Sequence, residues 1–141
     1  YLNGMVANTD VAARGFAEAL LLDAEGQVAE GPTESIFLGM GGGLHTPALG
    51  NILESITRDT LIRLAEHMEI PVRVGPIAKE LLFEADEIIL SSTPVKVLPV
   101  RRVEERRLTV PGPLTRRLQG AVKQLVGGEL PEFAHWLTPV G

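Results

Sequence analysis

The 141-residue chain contains no cysteine. That removes both a disulfide framework and a thiolate metal site, and it suits a reducing cytoplasm. Histidine is nearly as scarce: His45, His67 and His135 lie far apart, with no histidine or carboxylate at ligand spacing, so no metal is expected. Positive charge is in deficit, with 13 Lys and Arg against 18 Asp and Glu and a net charge of −5. A nucleic-acid surface needs clustered cations facing one way, and none is expected here. Only Arg101, Arg102, Arg106 and Arg107 are grouped, and Glu104 and Glu105 interrupt them. They read as a solvated edge or hairpin. No apolar run is long enough to span a membrane and no signal-peptide pattern is present, so a cytoplasmic location is expected.

The chain does have ample core-forming material. Hydrophobic residues make up 45% of it, its mean hydropathy is +0.16, and its length suits one domain, residues 1–141. A helix is expected over residues 2–14, stopped by Gly15 as a C-cap. Apolar residues 16–22, the turn-like Asp23-Ala24-Glu25-Gly26 and the extended Gln27–Glu30 form a hairpin signature, with Glu30 at a strand end. Ser35–Met40 reads as a strand and Gly41-Gly42-Gly43 as the turn into Leu44 and His45. That turn lacks the Lys-Ser/Thr of a phosphate loop.

Leu61, Leu64, Ala65 and Met68 give helical spacing over Thr57–Glu69, with Asp59 in the first turn. Strands are expected at Ile70–Val74, Glu87–Ser91, Val95–Val100 and Leu108–Val110, and a short helix at Lys79–Ala85. A second helical stripe, Leu114, Leu118, Ala121, Val122 and Leu125, closes at Gly127-Gly128. The tail containing Trp136 is expected to pack loosely outside. No internal repeat or low-complexity segment is present.

Three segments carry chemistry: Glu30-Gly31-Pro32-Thr33-Glu34-Ser35-Ile36-Phe37, Ile56-Thr57-Arg58-Asp59 and Ser91-Ser92-Thr93-Pro94. In this order and spacing they resemble the C-terminal half of the class IV pyridoxal-phosphate aminotransferases. That group includes the branched-chain and D-amino acid aminotransferases and aminodeoxychorismate lyase. Gly112-Pro113-Leu114-Thr115-Arg116-Arg117 resembles the start of the family's last helix. The resemblance implies an α+β fold, a mixed, mainly antiparallel sheet or pseudo-barrel with flanking helices.

It also implies the roles of individual residues. Glu30 is the partner of the cofactor's pyridine nitrogen, because a carboxylate beside that nitrogen keeps it protonated. Ile56 and Thr57 bind the phosphate at a helix N-terminus, where first-turn N–H groups have no partner within the helix. Ser92 and Thr93 complete the phosphate shell from a turn. Tyr1 stands where some relatives hydrogen-bond the cofactor's phenolic oxygen.

Three positions depart from the pattern. Ser35 stands where asparagine is common, and Ser55 where glycine is frequent, which questions the backbone entering that helix. Pro94 has no N–H at a place where relatives offer one to the substrate carboxylate.

A Schiff-base lysine is required, and the first lysine in the chain is Lys79. Neither it nor Lys96 nor Lys123 matches the family's position, which lies a few residues before Tyr1, so all three are expected at the surface. The resemblance therefore implies the C-terminal, cofactor-binding half of a larger two-domain enzyme whose N-terminal domain supplies the lysine. The intact protein is expected to be a homodimer that uses pyridoxal 5'-phosphate to transfer an amino group between a branched-chain or D-type amino acid and a 2-keto acid. The chain alone is expected to be inactive. A lyase of the aminodeoxychorismate type and a non-catalytic domain of the same fold are the alternatives. Ser92-Thr93-Pro94 and the Trp136 tail favour the aminotransferases.

Overall fold

Ile36, Phe37 and Leu38 follow one another without a polar interruption, so the strand that carries them must be covered on both faces. Strand β1, Ser35–Met40, accordingly lies at the centre of a five-stranded sheet. The computed structural model describes residues 2–140. The sheet order is β3-β2-β1-β4-β5, where β2 is Gly43–Thr46, β3 Val72–Val74, β4 Glu87–Ser91 and β5 Leu98–Pro99. Only β2 and β3 pair in parallel, so the sheet is mixed and mainly antiparallel, as expected. Gly41 and Gly42, at φ 55° and 80°, form the two-residue loop between β1 and β2, a conformation that other residues adopt only with strain.

Phe37, Leu44 and Ile89 on one face pack with Leu61, Leu64 and Ala65 of α2 (Ile56–His67) and with Leu114, Leu118, Ala121 and Leu125 of α3 (Pro113–Val126). Ile36, Leu38, Ile88 and Leu90 on the other face pack with Val28, Ile77, Leu82 and Ala85. The chain opens with α1, Leu2–Ala13, followed by Gly15 at φ 80°, the expected stop. Among the described residues no helix is long and apolar enough to cross a membrane.

Buried Glu87, at the start of β4, anchors α3 to the sheet. Its carboxylate accepts the N–H groups of Leu114 and Thr115 at 2.8 and 2.9 Å and the Thr115 hydroxyl at 2.7 Å. These are first-turn donors that lack a partner within the helix, at its positive end. The Glu87 side chain occupies the space a Cβ would need at Gly112, so only glycine fits there.

The structure corrects several sequence expectations. Helix α2 starts one residue earlier and ends two earlier than Thr57–Glu69, with Glu69 turned to φ 56°. The strand expected over Ile70–Val74 is only β3. The helix expected over Lys79–Ala85 is a 3-10 segment, Lys79–Phe83. The expected Val95–Val100 strand shrinks to β5, because Lys96, at φ 55°, donates its N–H to Ser92 O at 2.7 Å and folds those residues into a turn. Leu108–Val110 is not a strand. The local ribbon is β6 (Arg102–Val103) with β7 (Arg106–Arg107), and Leu108 instead packs against the second core face.

The arginine cluster does form a hairpin, but it is less solvated than expected. Arg106 donates to Leu82 O at 2.9 Å and to Ala85 O at 2.7 Å, and Arg102 lies 4.3 Å from the Phe16 ring centre. The tail is not loosely packed either. Its 3-10 segment Pro131–Trp136 buries Phe133 in the α2/α3 core, with the Trp136 ring tilted at 52° against it and the ring centres 4.6 Å apart.

Candidate functional site

The sheet register gathers three loops at one end. Ser35, which opens β1, pairs with Ser91, which closes β4. Thr46, which closes β2, donates its hydroxyl to Ile36 O at 2.8 Å. The chain entering β1 and the chains leaving β2 and β4 are therefore neighbours.

Glu30 lies five residues before β1. A short hairpin fixes it, with Ala29 N–H donating to Leu21 O at 3.0 Å and Leu21 N–H to Glu30 O at 2.9 Å. The Gly31–Glu34 turn closes on itself, Gly31 N–H to Glu34 O at 2.7 Å. Helix α1 braces that turn, since Gly4 approaches Pro32 so closely that a Cβ there would lie 2.8 Å from the proline ring. The Glu30 side chain is half-buried, and its Oε2 accepts the Leu53 N–H at 3.0 Å. The hairpin holds only isolated bridges, so Glu30 follows it rather than ending a strand as expected, and its bond ties this segment to the loop leading into α2.

Ser55 caps α2 from an extended backbone, φ −94°, and accepts the Arg58 N–H on its hydroxyl at 3.2 Å. The position therefore needs no glycine. The next two N–H groups, those of Ile56 and Thr57, have no acceptor within the helix. The Thr57 and Thr93 hydroxyls are 3.4 Å apart, so the first turn of α2 touches the turn after β4. Beside them the hydroxyls of Ser91 and Ser92 are buried without a hydrogen-bond partner among the described residues. Leaving a buried hydroxyl unpaired costs about 1–3 kcal/mol, so a group that paired with them would be favoured.

Arg58 is only 5% exposed. Its Nε donates to Thr46 Oγ1 at 3.1 Å and its Nη2 to Pro47 O at 2.6 Å. Burial pulls its pKa down from the ordinary arginine value, and neighbouring Asp59 opposes that shift. Free N–H groups, orphaned hydroxyls and a buried cation make this end of the sheet attractive to an anion.

The family model for amino-transferase class IV matches residues 1–103. The chain belongs to the class IV aminotransferases. It is 38% identical over 144 residues to the probable branched-chain-amino-acid aminotransferase of Aquifex aeolicus, with 99% of this chain and 46% of that protein covered. It is 36% identical over 142 residues to the branched-chain-amino-acid aminotransferase of Pseudomonas aeruginosa, with the same coverage. Among solved structures, the branched-chain aminotransferase of Thermobaculum terrenum in its PLP-form superimposes with a TM-score of 0.96 at 36% identity, covering 100% of this chain and 47% of that one. That of Thermoproteus uzoniensis with norvaline gives 0.94 at 39%, covering 100% and 48%. The chain thus spans about half the length of the curated relatives it matches.

In this class IV aminotransferase chain, the residues singled out from sequence converge in part. Glu30 reaches the loop before α2, and Thr57 reaches Thr93, with buried Ser92 alongside. Ile56 is 86% exposed and its side chain has no polar atom, so only its backbone is available as a ligand. Tyr1 lies outside the described residues. Lys79 and Lys123 are exposed, and exposed Lys96 donates to Thr93 O at 3.2 Å. Among the described residues no cluster of metal-binding side chains occurs. His45 is buried in β2 with Nε2 unpaired. Burial first, then the charge of Arg73, lowers its pKa, while a backbone hydrogen bond at Gly75 opposes this.

Arg58 and Ser91 stand within the segments quoted from the sequence but without a role of their own, and the Leu53 N–H lies outside those segments. For Arg58 a signal existed: counted back at helical spacing from Leu61 and Leu64–Ala65, position 58 lies on the apolar stripe of α2.

Proposed function

We propose that this chain is the cofactor-binding half of a pyridoxal-phosphate aminotransferase that moves an amino group between a branched-chain amino acid and a 2-keto acid. The observation that carries this reading is the meeting of Glu30, the first turn of α2 and the Ser92–Thr93 turn at one end of the sheet. The residues fit a phosphate-bearing ring. The orphaned Ser92 hydroxyl, the N–H groups of Ile56 and Thr57 and the Thr93 hydroxyl form a cradle for a dianion, and Glu30 offers a carboxylate to a ring nitrogen.

Pyridoxal phosphate, when bound, supplies an electron sink for charge that develops on the substrate's α carbon. Glu30 holds a proton at the ring nitrogen, which is what makes that sink effective. Ile56, Thr57, Ser92 and Thr93 fix the phosphate and so the plane of the ring. Pro94 offers no N–H, so recognition of the substrate carboxylate falls to other groups. Tyr1 is proposed to bond the phenolic oxygen, and residues preceding the chain to provide the lysine.

Within this proposal, residues 1–141 form one unit of a two-domain, homodimeric enzyme. The absence of cysteine supports a cytoplasmic location. The chain alone transfers no amino group.

The test is a spectral titration of the full-length protein. A visible absorption band should form with pyridoxal phosphate, fade with a branched-chain amino acid and return with a 2-keto acid. Pyruvate formed without an acceptor would indicate a lyase instead, and failure to take up the cofactor would overturn the reading.

A further inference from the structure

Arg58 has an energetic imbalance that the hydrogen bonds around it do not remove. The residue is 5% exposed, yet among the described residues its guanidinium forms no salt bridge. Its two acceptors, the Thr46 hydroxyl and the Pro47 carbonyl, are neutral. Neighbouring Asp59 is exposed and engaged with Arg63 at 2.8 Å. Two of the five guanidinium donors are thus satisfied while the net charge is not, and a buried charge without a counter-charge is costly.

The same side chain is also a mechanical link. It leaves the first turn of α2 and grips the end of β2, whose Thr46 is itself bonded to the Ile36 carbonyl in β1. Three elements that border the cradle are therefore linked through one guanidinium and the Thr46 hydroxyl.

We propose that Arg58 is a positioning residue for the cofactor phosphate: it locks the first turn of α2 onto the ends of β1 and β2, and its charge is balanced only when a dianion occupies that turn. The inference rests on the reading of the site as a pyridoxal-phosphate cradle. Two consequences follow. Affinity for a phosphate-bearing ligand depends on Arg58, and affinity for the same ring without phosphate does not. Lysine cannot substitute, because an ammonium cannot reproduce the fixed fork that spans a hydroxyl and a carbonyl at once.

The experiment measures dissociation constants of pyridoxal phosphate and of pyridoxal for the full-length protein and for Arg58→Lys, Thr46→Val and Thr46→Ser. Arg58→Lys should weaken pyridoxal phosphate about tenfold or more, equivalent to about 1.4 kcal/mol, with pyridoxal changed by less than about twofold. Thr46→Val should shift the same way by a smaller factor, and Thr46→Ser, which keeps the hydroxyl, should match the parent. If Arg58→Lys does not fold, the Thr46 pair decides.

Equal losses for both ligands would make Arg58 a structural residue and overturn the proposal, as would no loss. A parent protein that binds neither ligand would instead overturn the functional reading itself.

Discussion

Glu30→Gln in the full-length protein is expected to lower kcat by about a hundredfold or more, with KM for the amino donor little changed. The substitution keeps size and shape, and the amide oxygen can still accept the Leu53 N–H that Glu30 now accepts at 3.0 Å. The loop before α2 should therefore stay in place. What is lost is the negative charge that holds a proton on the ring nitrogen, a fixed electrostatic contribution of the kind whose removal typically costs two to three orders of magnitude. Cofactor affinity and thermal midpoint serve as controls and should stay near the parent values, because the phosphate contacts lie on other residues. A variant that turns over at the parent rate would remove Glu30 from the mechanism.

Glu87→Gln should have the largest effect on stability. The buried carboxylate satisfies three donors at the start of α3, two of them backbone N–H groups. An amide offers one acceptor oxygen and turns an NH2 toward donors, so at least one bond is lost and one buried donor is left unpaired. Charge-assisted bonds of this type contribute about 1.5–3 kcal/mol each, and about 2–3 kcal/mol is the expected loss. The thermal midpoint of the full-length protein should fall by about 3–5 °C. Hydrogen exchange should show the loss first in α3, whose Leu114, Leu118, Ala121 and Leu125 are the core side chains it presents to the sheet. Gly112→Ala should act in the same direction, because its Cβ would displace the same carboxylate. If both variants melt with the parent, Glu87 is not the anchor of α3.

What was legible in the sequence was local. The Ser35–Met40 strand and the α3 stripe carry their structural meaning within a few residues and appear in the structure as read, and the glycine turn after Met40 differs only in that Gly43 already opens β2. Strand ends were less legible, because the turn at Lys96 is set by its N–H bonding back to Ser92 rather than by the apolar pattern of Val95–Val100. Phe133 was missed for a related reason: its burial depends on α2 and α3 coming together first.

Charged residues were the hardest. Arg58 and Glu87 belong to a residue class that is mostly exposed, yet both are buried where several elements need a multi-armed hydrogen-bonding group. The site itself joins Glu30 to Leu53 and Thr57 to Thr93, pairs 23 and 36 residues apart, and no periodicity connects such positions. The family pattern brought them together, and the antiparallel register of β1 with β4 explains why they meet.

The most direct measurement is a density map of the full-length protein with pyridoxal phosphate bound. The phosphate is expected within hydrogen-bond reach of the Ile56 and Thr57 N–H groups and of Thr93, with the Glu30 carboxylate against the ring nitrogen. A phosphate held elsewhere, or a ring nitrogen facing away from Glu30, would contradict that expectation.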